Sequence, residues 1–488
     1  MAATSDPVRT VDHLIGDSQV PPASGRRFEN RDPHDGSLLA HVAAGDAQDA
    51  HRAVDAARRA FDDGPWPGMT AAERRSLLHA FADAVDAHAE ELALLDTRDM
   101  GKPIREARGM DIPRVSANLR FFADYAALTG SEAYPDGLRL SYVLYAPAGV
   151  VVAISPWNFP AMQASWKAAP ALAFGNTVVL KPAEQSPLSA ARLGELALEA
   201  GLPPGVLNVV HGFGPDAIGE ALTRDPRVDR ITFTGESATG RAIGAAAAAN
   251  LTPVSMELGG KSANVVFADC DLDEAVAGAI RAIYTNNGEV CLSGSRLLVQ
   301  RPILDPFTER FVAATRGLRV GDPKDPDTQV GPLVERTHWE KVDGYVRLGV
   351  EEGGDLLCGG GRPDGLPTGE YYAPTVLARM RNDMRAVREE IFGPVQAIVP
   401  FEEEADALAM ANDSEYGLAG MLWTNDLDRA HRMAEAWRTG TVWVNCFFER
   451  DLRLPFGGER ASGIGREGGP YSRDFFTDPR AVVIKRRR

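Results

Sequence analysis

Cysteine is scarce in this chain: four residues among 488, at Cys270, Cys291, Cys358 and Cys446. None forms a CxxC pair and none has histidine at metal-ligand spacing, so a disulfide framework and a zinc site are set aside and no metal is expected. A reducing, cytoplasmic setting fits that usage. Positive charge is also short. Lys and Arg total 52 against 68 Asp and Glu, a net charge of −16. Binding to nucleic acid or an anionic membrane needs a basic face, so neither partner is expected. The one basic run, Lys485–Arg488, is short and terminal and reads as a solvated tail. Long apolar runs are missing too. The longest, around "GVVVAI", is far too short to span a bilayer. The opening "MAATSDPVRTVDHLIG" has no basic region followed by an apolar core, so no signal peptide is expected. There is no internal repeat and no long low-complexity segment, and the spacing in "FTGESATG" is not GxGxxG.

What is present is an ordinary globular composition, 44% hydrophobic and 25% charged, on a chain too long for one simple core. Two domains or more are expected. Residues 46–128 carry apolar residues at helical spacing, as in "AERRSLLHAFADAVDAHAEELALLD". Residues 137–147 read as strand. Strands at 149–155, 176–182, 205–212 and 228–235 then alternate with helical stretches, which predicts parallel βαβ units in a doubly wound sheet with ligands at the strands' carboxyl ends. A second α/β series follows, including "ANVVFAD", "SRLLVQ", "AIVPF" and "TVWVN". The Gly/Pro-rich stretch 352–369 reads as loop and turn.

Chemistry concentrates in a few short segments. "NNGEVCLSGSR" sets Cys291 at a turn among small residues, where a thiol is either packing or a nucleophile. "PWNFP" holds Asn158 between prolines, either as a fixed amide donor for an oxyanion or as a helix cap. "MELGGKS" places Glu257 in an apolar strand, either as a general base of raised pKa or as a surface residue at a strand end. "LKPAEQSP" sets Lys181 and Glu184 at a strand end, as ribose-binding groups or a surface pair. In "FTGESATG", Gly235 opens a helix whose N-terminus offers N–H groups to a phosphate, or makes a plain strand-to-helix turn.

With "EEIFGPV" and "PFGGERASGIGREGG", these segments resemble the NAD(P)-dependent aldehyde dehydrogenase superfamily over nearly the whole chain. The resemblance implies an α/β fold with a Rossmann-type cofactor domain (1–128 and 148–259), an α/β catalytic domain (260–474) and a small β oligomerisation element (129–147 and 475–488). It implies that Cys291 is the nucleophile and Glu257 the base for deacylation. Asn158 and the Cys291 backbone N–H would form the oxyanion hole. Glu390, with Phe392 beside it, would hold the nicotinamide ribose; Lys181 and Glu184 would bind the adenosine ribose; Trp157 and Gly235 would line the cofactor site. The implied reaction oxidises an aldehyde to a carboxylate through a thiohemiacetal and a thioester. A carboxylate at Glu184 accepts ribose hydroxyls and repels a 2′-phosphate, so NAD is expected over NADP. A homodimer or homotetramer is implied, with a small-molecule aldehyde as partner.

Within that resemblance the chain has Glu236 after Gly235, where serine is common. It also places Arg114 and Arg450 at positions that line the family's substrate tunnel. Paired arginines imply a carboxylate on the substrate, and the surrounding segments resemble the 2-hydroxymuconic and 2-aminomuconic semialdehyde dehydrogenase branch. A structural ion pair with Asp111 or Asp451 is the other reading of these arginines. A general or other semialdehyde dehydrogenase (betaine or succinic type), a cofactor-independent hydrolase, and a non-catalytic binding protein on the same fold are the competing functions.

Overall fold

The computed structural model describes residues 8–366 and 368–485. Residues 1–7, with the start of the opening segment, and 486–488, most of the basic tail, lie outside the described residues, as does Pro367. The first sheet has eight strands, in the order Gly463–Ile464, Val254–Glu257, Arg230–Thr234, Val150–Ile154, Thr177–Lys181, Leu207–Val209, His13–Ile15, Ser18–Val20. The five central strands are parallel and the flanking ones antiparallel. "VVVAI" and "TVVLK" are buried along their whole length, which is why they are continuous apolar runs rather than alternating ones. Val150, Val152 and Val179 pack with Ala50, Ala53, Val54 and Ala57 of helix Ala47–Asp62. Val151, Ala153, Val178 and Leu180 belong to a cluster on the opposite face, with helices Pro160–Ala173 and Leu188–Glu199.

Chain order reverses at Val150–Ile154, which lies between Thr177–Lys181 and Arg230–Thr234. Such a reversal opens a crevice at the carboxyl ends of the strands. Helix Ile112–Leu128 buries Ile112, Val115, Leu119, Phe122 and Ala123. It follows a π-helical turn, Ala107–Asp111, a feature that often marks functional sites.

The second sheet has seven strands, in the order Asp355–Cys358, Thr375–Ala378, Val395–Phe401, Arg296–Gln300, Ala263–Val266, Ala419–Trp423, Thr441–Val444. All its pairings are parallel except the first. That first pair corrects the reading of 352–369 as loop and turn: Asp355–Cys358 is a strand, hidden in sequence by the glycines on either side of four residues. Thr477–Lys485 runs antiparallel along Arg139–Pro147, with Ala133–Asp136 as the third strand of a small sheet. Residues 139–147 and 477–485 therefore lie side by side. A further small sheet joins Arg9–Val11, Leu38–Ala43 and Arg27–Arg31. No helix among the described residues is long and apolar enough to cross a membrane.

Candidate active site

The two large sheets meet end to end. At the carboxyl ends of the first, Trp157 and Asn158 follow Val150–Ile154, Glu184 follows Lys181, Gly235 follows Arg230–Thr234, and Glu257 ends its own strand. At the amino ends of the second, Cys291 precedes Arg296–Gln300, and Glu390 and Phe392 precede Val395–Phe401. Gly259 and Gly260 thread between these loops. A Cβ on Gly260 would stand 2.3 Å from the Cys291 carbonyl oxygen, and one on Gly259 would stand 2.3 Å from Glu390 Oε2. The first contact is with backbone and excludes a side chain at Gly260, while a side chain at Gly259 would push the Glu390 carboxylate aside. The Gly260 N–H donates to Glu390 Oε1 at 2.9 Å.

The loop before Cys291 is left-handed at Asn286 (φ 52°), Asn287 (φ 59°) and Gly288 (φ 76°). Asparagine tolerates that region better than most residues. The Asn286 amide donates to the carbonyls of Asn158 at 2.9 Å and Glu289 at 3.2 Å, and its N–H reaches Glu106 at 2.7 Å. Asn287 donates to the carbonyls of Gly101 and Pro332 and accepts from the Gly331 N–H. Cys291 is half-buried. Burial, with the Glu390 and Glu257 carboxylates adding to it, pushes its thiol up to about 12, while Arg450 pulls the other way. The resting group is a neutral thiol.

Asn158 is buried and donates to the Glu289 carbonyl at 2.8 Å, which uses one of its two amide N–H bonds. It caps no helix; Phe159 occupies that position for Pro160–Ala173. Glu257 is only 3% exposed, and both its carboxylate oxygens are buried without a partner. It is not a surface residue at a strand end. Burial first, and then the Glu467 carboxylate, hold it well above the usual carboxylate range, against the pull of Lys167, Arg450 and Arg466. An orphaned buried carboxylate costs stability, which makes Glu257 a candidate for chemistry.

Lys181 is buried and pairs with Glu184 Oε2 at 3.6 Å, with burial lowering its pKa. With Lys181 buried and Glu184 half-buried, the pair does not lie on open surface. Trp157 meets Phe392 edge to face, with centroids 5.3 Å apart at 84°. Phe392 itself is left-handed, with φ 63°. Burial pushes Glu390 up to about 7. Glu236 is exposed at the start of helix Ser237–Ala248.

Beside the thiol loop a cleft of ≈ 450 Å³ opens between helix Ile112–Leu128 and the segment 448–452; Met110, Arg114, Trp166, Phe448, Arg450 and Leu452 are among its lining residues. The structural ion pairs considered for the two arginines do not form. Asp111 is held by Lys102, and Asp451 by Arg453 at 2.5 Å. Among the described residues neither Arg114 nor Arg450 has a hydrogen bond or ion pair. Arg450 instead stacks its guanidinium 3.8 Å from the Phe456 centroid and 4.8 Å from that of Trp166. Burial, together with the charge of Arg114, brings it down to about 10.

Several site residues escaped the sequence reading. Glu467 accepts from the Trp166 indole, the Lys167 ammonium and the Thr232 hydroxyl, and its charge reaches Glu257. A signal existed: Lys167 is the one charged residue in Pro160–Ala173 and is fully buried there. Asn286, which ties Asn158 to the thiol loop, and His338, which touches Phe392, gave no local signal.

The chain matches the Aldehyde dehydrogenase family over residues 20–482. It is 46% identical over 486 residues to 2-hydroxymuconic semialdehyde dehydrogenase of Pseudomonas sp. (strain CF600), covering 98% of this chain and 100% of that one. It is equally 46% identical to the mitochondrial aldehyde dehydrogenase family 2 member B4 of Arabidopsis thaliana, over 96% of this chain and 87% of that one. The solved structure of an indole-3-acetaldehyde dehydrogenase complexed with NAD+ superposes with a TM-score of 0.96 at 42% identity, covering 99% and 97% of the two chains. The match over almost the whole chain, on a fold that brings Cys291, Asn158 and Glu257 to one crevice, establishes that this protein belongs to the aldehyde dehydrogenase family and is an oxidoreductase acting on aldehydes.

Proposed function

We propose that the protein oxidises a carboxylate-bearing semialdehyde, of the 2-hydroxymuconic type, with NAD as cofactor. The observation that carries the substrate reading is the pair Arg114 and Arg450: two cations share the cleft with no hydrogen-bonded or ion-paired carboxylate among the described residues, Glu257 and Glu467 acting on Arg450 only through their charge. Burying unpaired charge is expensive, and a substrate carboxylate supplies the missing partner through charge-assisted hydrogen bonds. Identity alone does not choose between a semialdehyde and a plain aldehyde, since relatives of both kinds are equally similar.

The crevice fits a nicotinamide dinucleotide. Lys181 and Glu184 flank a strand end suited to the adenosine ribose. Gly235 opens a twelve-residue helix whose first N–H groups suit a pyrophosphate. Glu390 uses Oε1 on Gly260 and keeps Oε2 for a ribose hydroxyl. NAD, when bound, supplies a hydride acceptor beside Cys291. The acid at Glu184 favours a free ribose 2′-hydroxyl over a 2′-phosphate.

In this reading the Cys291 sulfur bonds to the aldehyde carbon as its thiol proton passes to solvent water. The Asn158 amide and the Cys291 N–H stabilise the oxyanion. Once hydride has left the thiohemiacetal carbon, a thioester remains on Cys291. Glu257, dehydrated and short of hydrogen-bond donors, takes a proton from water as that water attacks the thioester, releasing the acid and the thiol. The domain assignment follows the same logic: the first sheet serves the cofactor, the second carries the nucleophile, and the small sheet at 133–147 and 477–485 is an oligomerisation element in a homodimer or homotetramer. A cytoplasmic location fits the free cysteines. The test is NADH formation from 2-hydroxymuconic semialdehyde against an aliphatic aldehyde of similar length. A preference for the first supports the reading; equal kcat/KM removes the substrate claim.

A further inference from the structure

His338 stands at the seam between the thiol loop and the cofactor loop, and no step above uses it. It lies near the start of helix Arg336–Glu351 and is buried. Its Nε2 lies 2.6 Å from the Phe392 carbonyl oxygen. A carbonyl only accepts, so Nε2 carries the ring proton and donates it. Phe392 is held in the left-handed region, which an aromatic residue keeps only when its surroundings over-determine it. The imidazole also packs edge-on against Trp157, at 5.4 Å between centroids, and against the Phe392 ring at 6.1 Å. On the thiol side, Glu289 Oε1 approaches Nε2 to 3.7 Å; the same carboxyl accepts from the Val334 N–H, and its residue's carbonyl accepts from the Asn158 amide. One side chain thus touches the loop after the first central strand, the thiol loop and the Glu390–Phe392 loop.

We propose that His338 is a positioning residue for the nicotinamide end of the cofactor. By fixing the Phe392 carbonyl it holds Glu390, Phe392 and Trp157 as a preformed wall. The proposal rests on the reading of this crevice as the NAD site. A preformed wall spares binding the cost of ordering it, so its loss weakens NAD binding and hydride transfer and leaves the Cys291 thiol chemistry alone.

The test uses the full chain with His338→Phe, which keeps a ring but loses the donor, and His338→Gln, whose amide restores one. Three quantities are read: KM for NAD, the isotope effect with an aldehyde deuterated at the carbonyl carbon, and cofactor-independent ester hydrolysis by Cys291. In His338→Phe the KM for NAD rises roughly five- to tenfold, the size of one lost hydrogen bond. The isotope effect increases and ester hydrolysis stays near wild type; His338→Gln recovers most of the loss. Should His338→Phe fail to fold, His338→Ala serves, with added imidazole expected to lower its KM for NAD. An unchanged KM and isotope effect in the donor-less variant overturns the proposal. So does a parallel fall in ester and NAD-dependent rates that neither glutamine nor imidazole rescues. Wild-type chain that binds no NAD in a direct titration overturns the site reading and this proposal together, which separates that failure from a failure of His338 alone.

Discussion

Replacing Arg450 by methionine removes a charge from the cleft while keeping an apolar stem against Phe456 and Trp166. In the wild-type chain the guanidinium has aromatic rings on two sides and no carboxylate in ion-pair contact among the described residues, Glu257 and Glu467 acting on it only through their charge. A substrate carboxylate gripped there is partly desolvated, and losing one buried charged contact costs about 2–4 kcal/mol. That is roughly 30- to 900-fold in kcat/KM for a carboxylate-bearing semialdehyde. Arg114 remains in the cleft, so the lower half of the range is expected. A neutral aldehyde of the same length never used the charge. Its kcat/KM falls far less, by only what the lost pull of Arg450 on the Cys291 thiol and on Glu257 costs, a factor that both aldehydes share. The assay is initial-rate NADH formation with both aldehydes, for wild type, Arg450→Met and Arg114→Met. The reasoning is refuted if both aldehydes lose activity by the same factor, for then Arg450 serves the fold through its stacking and not the substrate through its charge.

Four other consequences are open to measurement. Glu257→Gln should release about one equivalent of NADH per site quickly and then turn over slowly. Because burial raises the Glu257 pKa, wild-type deacylation falls as pH drops while still above the ordinary carboxylate range, and the glutamine variant lacks that limb. NAD affinity should be full above pH 7 and weaken as pH falls through about 7, where Glu390 takes up its proton; Glu390→Gln should flatten that dependence, and titration calorimetry across pH reads it. Glu184→Ser should raise the kcat/KM for NADP relative to NAD by about tenfold or more, since an opposing charge is worth on the order of 1.4 kcal/mol or more in a partly buried site; an unchanged ratio would place the selectivity elsewhere. Lys102 and Asp111 are both fully buried and paired. Lys102→Met should therefore cost about 3–5 kcal/mol in urea unfolding, and adding Asp111→Leu should recover most of it.

The parts legible in sequence were those with strong local patterning. Val150–Ile154 and Thr177–Lys181 are buried on both faces and stand out as β-branched runs. Helix Ile112–Leu128 shows its buried stripe plainly. The strands Arg9–Val11, His13–Ile15 and Ser18–Val20 went unread because three residues carry no periodicity. Cys291, Asn158 and Glu257 stood out because small or rigid residues surround each of them. Glu257's partner field did not, because Glu467 lies more than two hundred residues away and reaches it only through a fold-level crossing, where Gly463–Ile464 returns to pair beside Glu257. The role of Gly259 and Gly260 was likewise invisible until the second sheet was seen pressed against them.

The most direct measurement of the central claim is a single-turnover experiment on Cys291. Wild-type chain is mixed with NAD and a carboxylate-bearing semialdehyde, and NADH, free acid and protein mass are followed together. The account predicts NADH and acid in equal amounts, a transient acyl adduct on the peptide containing Cys291, and in Cys291→Ala neither NADH nor adduct while NAD still binds. NADH formed by Cys291→Ala at a rate near wild type, or an adduct on another residue, would contradict it.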